Sequence, residues 1–73
     1  MRMPKLNELQ SDVTIADWLV GVGETCAEGK PVVSVETDKV TVDVEADASG
    51  TVRRLLVKKG DVVQVGQPIL ELE

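Results

Sequence analysis

The chain has no histidine, no tyrosine and no phenylalanine, and it has a single cysteine, Cys26. These absences remove most catalytic chemistry. Without histidine there is no nucleophile–base pair of the familiar kinds, so a free-standing enzyme is not expected. One cysteine allows no disulfide within a chain and leaves too few ligands for an ordinary zinc site. Cys26 reads as a small apolar or surface residue, with no histidine to activate its thiol. The lone aromatic, Trp18, reads as a core residue.

Long apolar runs are missing as well. None approaches the roughly 18 residues of a membrane span, and no charged-then-apolar leader opens the sequence. No membrane partner is expected. The expected location is the cytoplasm, or the mitochondrial matrix if the source is eukaryotic. Basic charge is scarce, with eight Lys and Arg against thirteen Asp and Glu, a net charge of −5. That excludes nucleic acid, whose phosphates need a basic face. A chain of 73 residues fits one small domain. A domain of this size buries about 60% of its unfolded surface, so the core is thin and a deep pocket has little room.

What is abundant is β-branched: fourteen Val, five Thr and two Ile. No segment carries a 3.6-residue apolar stripe over ten residues. Val32-Val33-Ser34-Val35 and Val40-Thr41-Val42-Asp43-Val44-Glu45 both read as strands. Between them lies Glu36-Thr37-Asp38-Lys39-Val40. A hairpin there holds the long amine of Lys39 out at the end of a rigid ribbon. Thr37 and Asp38 are good turn residues. Lys5, Lys30, Lys58 and Lys59 lack such symmetric flanks and read as surface lysines. Arg53-Arg54 and Lys58-Lys59 read as a solvated basic strip.

The sequence also repeats itself. Shifted by 37 positions, residues 12–36 align without a gap on 49–73, and seven of the 25 pairs are identical. The identities include Gly23/Gly60, Gly29/Gly66 and Pro31/Pro68, residues that punctuate a backbone. Two copies are too few for a solenoid and fit one domain with internal two-fold pseudo-symmetry. Each copy reads strand, turn, short extended segment, turn, strand. The apolar spacing Ile15, Trp18, Val20 recurs as Val52, Leu55, Val57. A step of three and then two breaks strand alternation once, which predicts a β-bulge in both copies. The symmetry predicts that the Lys39 hairpin and the C-terminus lie at opposite ends of the domain.

These features together resemble the lipoyl domain of the acyltransferase component of 2-oxo acid dehydrogenase complexes. The resemblance covers essentially the whole chain. It is carried by Met3-Pro4-Lys5-Leu6, Trp18-Leu19-Val20, Gly23-Glu24, Glu36-Thr37-Asp38-Lys39-Val40, Ser49-Gly50, Lys59-Gly60-Asp61 and Val65-Gly66-Gln67-Pro68. It implies an all-β fold, a flattened barrel or sandwich of two small antiparallel sheets (a barrel-sandwich hybrid). It implies that Lys39 carries lipoic acid through an amide, attached by a lipoate-protein ligase or lipoyl transferase. Glu36, Thr37, Asp38 and Val40 are the implied recognition set.

In the family, the arm visits a thiamin-dependent 2-oxo acid dehydrogenase, the acyltransferase catalytic domain and a flavin-dependent dihydrolipoamide dehydrogenase. The domain is thus a carrier without catalysis of its own, expected as a monomer when isolated. Its parent chain would be a dihydrolipoamide acyltransferase, from which these residues read as an excised module. In the family, the loop after the first strand helps the dehydrogenase recognise its own domain. Here it reads Asn7-Glu8-Leu9-Gln10-Ser11-Asp12, followed by Val13. Asn7 and Val13 replace glycines of the family pattern. Asn tolerates positive φ and Val does not, which predicts a different loop path. Biotinyl carriers share the fold but typically flank their lysine with Met, where this chain has Asp38 and Val40. An unmodified structural module would need no acceptor lysine. The lipoyl carrier of glycine cleavage is longer and has added helices.

Overall fold

A computed structural model describes residues 1–4, 12–37 and 40–73. The described residues form seven strands: β1 (Asp12–Trp18), β2 (Thr25–Cys26), β3 (Pro31–Glu36), β4 (Thr41–Glu45), β5 (Gly50–Leu55), β6 (Val62–Gln64) and β7 (Leu70–Leu72). They build a four-stranded sheet in the order β4-β3-β1-β6 and a three-stranded sheet in the order β2-β5-β7. Every pairing is antiparallel. One apolar cluster, including Ile15, Val33, Val35, Val52, Val63 and Leu70, is shared by both sheets. No polar or charged side chain among the described residues is buried.

The strands explain themselves by alternation. Val13 and Ile15 point into the core, while Asp12, Thr14 and Ala16 do not. The alternation then slips. Ile15 faces Val35, but Asp17 faces Ser34, so Ala16 is an extra residue on β1. The same slip occurs 37 residues later, where Val52 faces Leu72 and Arg54 faces Glu71. A third slip makes Val32 the extra residue on β3, between the pairs Pro31–Glu45 and Val33–Val44. It lets both Val32 and Val33 reach the core, as Ile69 and Leu70 do in the second half. Their carbonyls serve the bulged strands alike, Leu19 N–H donating to Val32 O and Leu56 N–H to Ile69 O, both at 2.9 Å.

Turns recur at the same interval. Gly23 and Gly60 have φ of 91° and 94°, and Gly29 and Gly66 have 86° and 87°. A β-carbon would be strained in that region, which is the physical demand behind the repeated glycines. The N–H of Gly23 donates to Val52 O, and that of Gly60 to Ile15 O, both at 2.8 Å. Each turn therefore lies on the central strand of the other half.

The N-terminal segment is also matched. Met3 donates to Gln67 O and accepts from Gly66 N–H. Ala46 donates to Lys30 O and accepts from Gly29 N–H. Both side chains are buried. Met3 and Ala46 are 43 residues apart, whereas Asp12 and Ser49 are 37 apart. The connection 4–11 is thus six residues longer than its counterpart 47–48.

One expectation changes in the structure. Trp18 sits half-buried at the rim of the core, where its indole N–H donates to Val57 O at 3.0 Å. The polar end of the ring finds a carbonyl there, which full burial would not supply. Val13 is an ordinary core residue of β1 facing Val63, and no described non-glycine residue has positive φ. Its symmetry mate Gly50 is not there for positive φ either. A β-carbon on Gly50 would lie 2.8 Å from the Glu73 carbonyl oxygen and 3.4 Å from Leu72 Cβ. Close approach of β7 is what keeps that position small.

Two substitutions separate these causes. Gly60→Val should cost about 1–2 kcal/mol through backbone strain, read as a lower urea midpoint with an unchanged slope. Gly50→Ala should cost about 1–3 kcal/mol through overpacking. It should also speed hydrogen exchange at the Glu73 amide, which now donates to Thr51 O at 2.9 Å.

Candidate functional site

The hairpin of β3 and β4 is rooted unusually firmly. β3 is an interior strand, paired with β1 on one side and β4 on the other. Val32, Val33 and Val35 are fully buried along it. Across the sheet, Ile15, Val35 and Val42 make one row, and Thr14, Glu36 and Thr41 make the next. On the outer face Ser34 Oγ donates to Asp43 Oδ1 at 2.9 Å, joining the two arms. Glu36 and Thr41 form the last ladder pair.

Beyond that pair the ribbon closes between Thr37 and Val40. Thr37 N–H donates to Val40 O at 2.8 Å. The Thr37 hydroxyl donates to the same oxygen at 2.9 Å and accepts from Val40 N–H at 3.1 Å. Glu36 is exposed, Thr37 is half-buried and Val40 is 58% exposed. Asp38 and Lys39 lie outside the described residues, between these two closing positions in sequence. The register therefore brings Glu36, Thr37 and Val40 to one end of the four-stranded sheet.

Of the loop read as a partner-specificity element, Asn7, Glu8, Leu9, Gln10 and Ser11 lie outside the described residues. Asp12 is described. It is exposed, opens β1 and faces Gln64. Since Thr14 faces Glu36, Asp12 lies two residues further toward the closed end of the hairpin. β1 thus begins beside the closed end of the hairpin. Sequence reading missed Val62 and Gln64, which β6 brings to the same end through the pairs Thr14–Val62 and Asp12–Gln64. Val62 is 60% exposed there. A three-residue strand has too little periodicity to be placed from sequence.

No group of three or more Asp, Glu, His or Cys side chains gathers as a metal site among the described residues. Cys26 is buried, with its Sγ toward Ala48 O at 3.9 Å. Arg53, Arg54, Lys58 and Lys59 are exposed, and Arg54 lies 3.9 Å from Glu71. The described part of the hairpin is a well-packed ribbon whose closing positions, Thr37 and Val40, lie at one end of the four-stranded sheet.

Comparisons with known proteins agree with that geometry. The family model for biotin- and lipoyl-attachment domains, described as that of a biotin-requiring enzyme, matches residues 1–72. The dihydrolipoyllysine-residue succinyltransferase component of the 2-oxoglutarate dehydrogenase complex of Staphylococcus saprophyticus is 42% identical over 69 residues. The lipoamide acyltransferase component of the branched-chain α-keto acid dehydrogenase complex of Bacillus subtilis is 37% identical over 73 residues. These alignments take in 94% and 100% of this chain but span 16% and 17% of those relatives. The solution structure of the lipoyl domain of the 2-oxoglutarate dehydrogenase complex from Azotobacter vinelandii superposes with a TM-score of 0.75. It is 32% identical, with coverage of 100% of this chain and 92% of that one. The urea carboxylase of Kluyveromyces lactis shares the fold at a TM-score of 0.67 and 23% identity, over 100% of this chain and 7% of that one.

Two antiparallel sheets wound about a pseudo-two-fold define the barrel-sandwich class of carrier domains. The chain belongs to the biotinyl/lipoyl-attachment family, and within it to the lipoyl-type domains.

The root and the end of the hairpin should respond differently to truncation. Val35→Ala should cost about 2 kcal/mol by lost burial and a residual cavity. Val40→Ala, at an exposed position, should stay within about 0.5 kcal/mol of the parent. Urea unfolding of both variants checks the contrast.

Proposed function

We propose that Lys39 is the attachment site for lipoic acid and that residues 1–73 form one swinging-arm carrier domain of a dihydrolipoamide acyltransferase. The observation that carries this reading is the coincidence of two facts. The sequence Glu36-Thr37-Asp38-Lys39-Val40 falls where the most deeply rooted ribbon ends. The fold and a third of the sequence match a lipoyl domain over the whole chain.

The residues fit the group. A covalently attached arm needs an amine on an accessible end and no pocket around it. Glu36 and Val40 beside the closure are exposed. When attached, the dithiolane supplies acyl- and electron-carrying chemistry, while the protein supplies presentation and recognition. The amide removes the charge of Lys39. Glu36, Asp38 and Val40 then mark the lysine for the ligase and for partner enzymes. Residues 7–12 contribute to the choice of dehydrogenase. Tethering holds the arm at roughly millimolar local concentration near each active site when linkers are short and flexible.

The partners follow from the same reading. They are the lipoate-protein ligase or lipoyl transferase, a thiamin-dependent 2-oxo acid dehydrogenase, an acyltransferase domain and dihydrolipoamide dehydrogenase. Relatives come from 2-oxoglutarate, branched-chain, pyruvate and acetoin systems. The proposal is therefore made for the carrier role and for no one 2-oxo acid. The domain works as a monomer in the cytoplasm, or in the matrix of a eukaryote. A biotin carrier is the second reading, supported by the family model's description as that of a biotin-requiring enzyme. Asp38 and Val40, in place of flanking Met, weigh against it.

Incubation with lipoate-protein ligase, ATP and lipoate should add one lipoyl group at Lys39, read by intact mass and peptide mapping. A parallel biotin-protein ligase reaction should add nothing. Lys39→Arg should unfold within about 0.5 kcal/mol of the parent and accept no group. Lipoylation of that variant at another lysine would remove Lys39 from the role, and a biotin adduct alone would move the chain to carboxylases.

A further inference from the structure

We propose that Thr37 is a positioning residue for Lys39, acting through its hydroxyl on the backbone of Val40 and not by contact with the modifying enzyme. The inference rests on the reading of Lys39 as the attachment site.

Thr37 and Val40 flank the two-residue end of the hairpin. In a plain turn of four residues, the last amide donates to the first carbonyl. Here Val40 N–H donates to the Thr37 hydroxyl oxygen at 3.1 Å. That hydroxyl in turn donates to Val40 O at 2.9 Å, the same oxygen that accepts from Thr37 N–H at 2.8 Å. One side chain thus holds both polar groups of the Val40 backbone. A hydroxyl can do this because it donates and accepts at once; a methyl of the same shape can do neither.

Other turns of the chain use side chains in the opposite sense. Gly21 N–H donates to Glu24 Oε1 at 2.7 Å, Lys58 N–H to Asp61 Oδ2 at 2.9 Å and Gln64 N–H to Gln67 Oε1 at 3.1 Å. In those turns the fourth residue reaches back to the first and holds one group. At Thr37 the first residue reaches forward and holds two. The extra bond falls where the ladder has already ended at Glu36–Thr41. Without it, the closure has one described backbone bond and the end can hinge on its last pair. An enzyme that acylates the Lys39 amine gains from an amine held in a fixed pose.

Steady-state kinetics with lipoate-protein ligase test the role, with hydrogen exchange at the Val40 amide as an independent readout. Thr37→Val keeps shape and β-branching and loses the hydroxyl. It should melt near the parent, exchange the Val40 amide faster and show about tenfold lower kcat/KM, the scale of one or two lost hydrogen bonds. Thr37→Ser keeps the hydroxyl and should restore both readouts. Thr37→Ala should behave as Thr37→Val and stands in for it if that variant fails to fold. Modification of Thr37→Val or Thr37→Ala at the parent rate would overturn the inference. So would equal impairment of Thr37→Ser, which would assign the effect to the methyl group and direct contact. A parent chain that accepts no lipoyl group would overturn the reading of Lys39 and this inference with it. A modified parent with indifferent variants removes the Thr37 role alone.

Discussion

Two reciprocal pairs of hydrogen bonds hold the molecule together. Ile15 donates to Asp61 O and accepts from Gly60 N–H, and Val52 donates to Glu24 O and accepts from Gly23 N–H. All four bonds are 2.8 Å long. Each half closes the central strand of the other. The short strands follow the same rule. β2, from the first half, pairs with β5, and β6, from the second half, pairs with β1. Neither repeat owns a complete sheet, so neither has a core of its own. Folding must join segments distant in sequence before it gains their burial, which makes the domain cooperative and slow relative to helical chains of this size. The bulges at Ala16 and Arg53 belong to the same constraint. They sit next to Ile15 and Val52, turning each strand where the foreign turn lands on it.

The symmetry is broken at one connection. The interlock involves residues of both halves in equal measure, but the two connections outside it are unequal. The segment 4–11 is six residues longer than 47–48. The ribbon of β3 and β4 closes through Thr37 and Val40, and the equivalent strand β7 brings Glu73 to Thr51, its amide donating to Thr51 O. Glu73 thus takes the place in the second sheet that Glu36 takes beside Thr14 in the first. The longer connection enters the four-stranded sheet at the end where that ribbon closes, since β1 begins with Asp12. The scaffold is regular wherever it only has to be stable. It is irregular at the end of the four-stranded sheet where the β3–β4 ribbon closes.

Much of this was legible in the residues. Gly23/Gly60 and Gly29/Gly66 declared turns because a positive φ leaves few alternatives to glycine. The step from Ile15 to Trp18 to Val20 declared a bulge because strand alternation tolerates no other single interruption. The closing role of Thr37 followed from its residue type. Other features were hidden. β2 and β6 are two and three residues long, so their exchange between halves leaves no pattern to see. Val13 looked misplaced because a glycine stands opposite it in the repeat, yet Gly50 answers to the Glu73 carbonyl and not to φ. Trp18 looked like core by composition. A hydrogen bond to Val57 O, 39 residues away, holds it at the rim.

Charge completes the asymmetry. The strands of the four-stranded sheet carry Asp12, Asp17, Glu36, Asp43 and Glu45, all exposed, and no Lys or Arg. Elsewhere, eight acidic residues are balanced by eight basic ones, so these five account for the whole net charge of −5. The three-stranded sheet carries Arg53 and Arg54 against Glu71. A field of one sign over one face orients encounters more than it tightens them. At physiological salt it reaches about 8 Å from the surface before screening removes it. Asp43 and Glu45 also line the β4 edge with like charge, which disfavours pairing of that edge with a second copy.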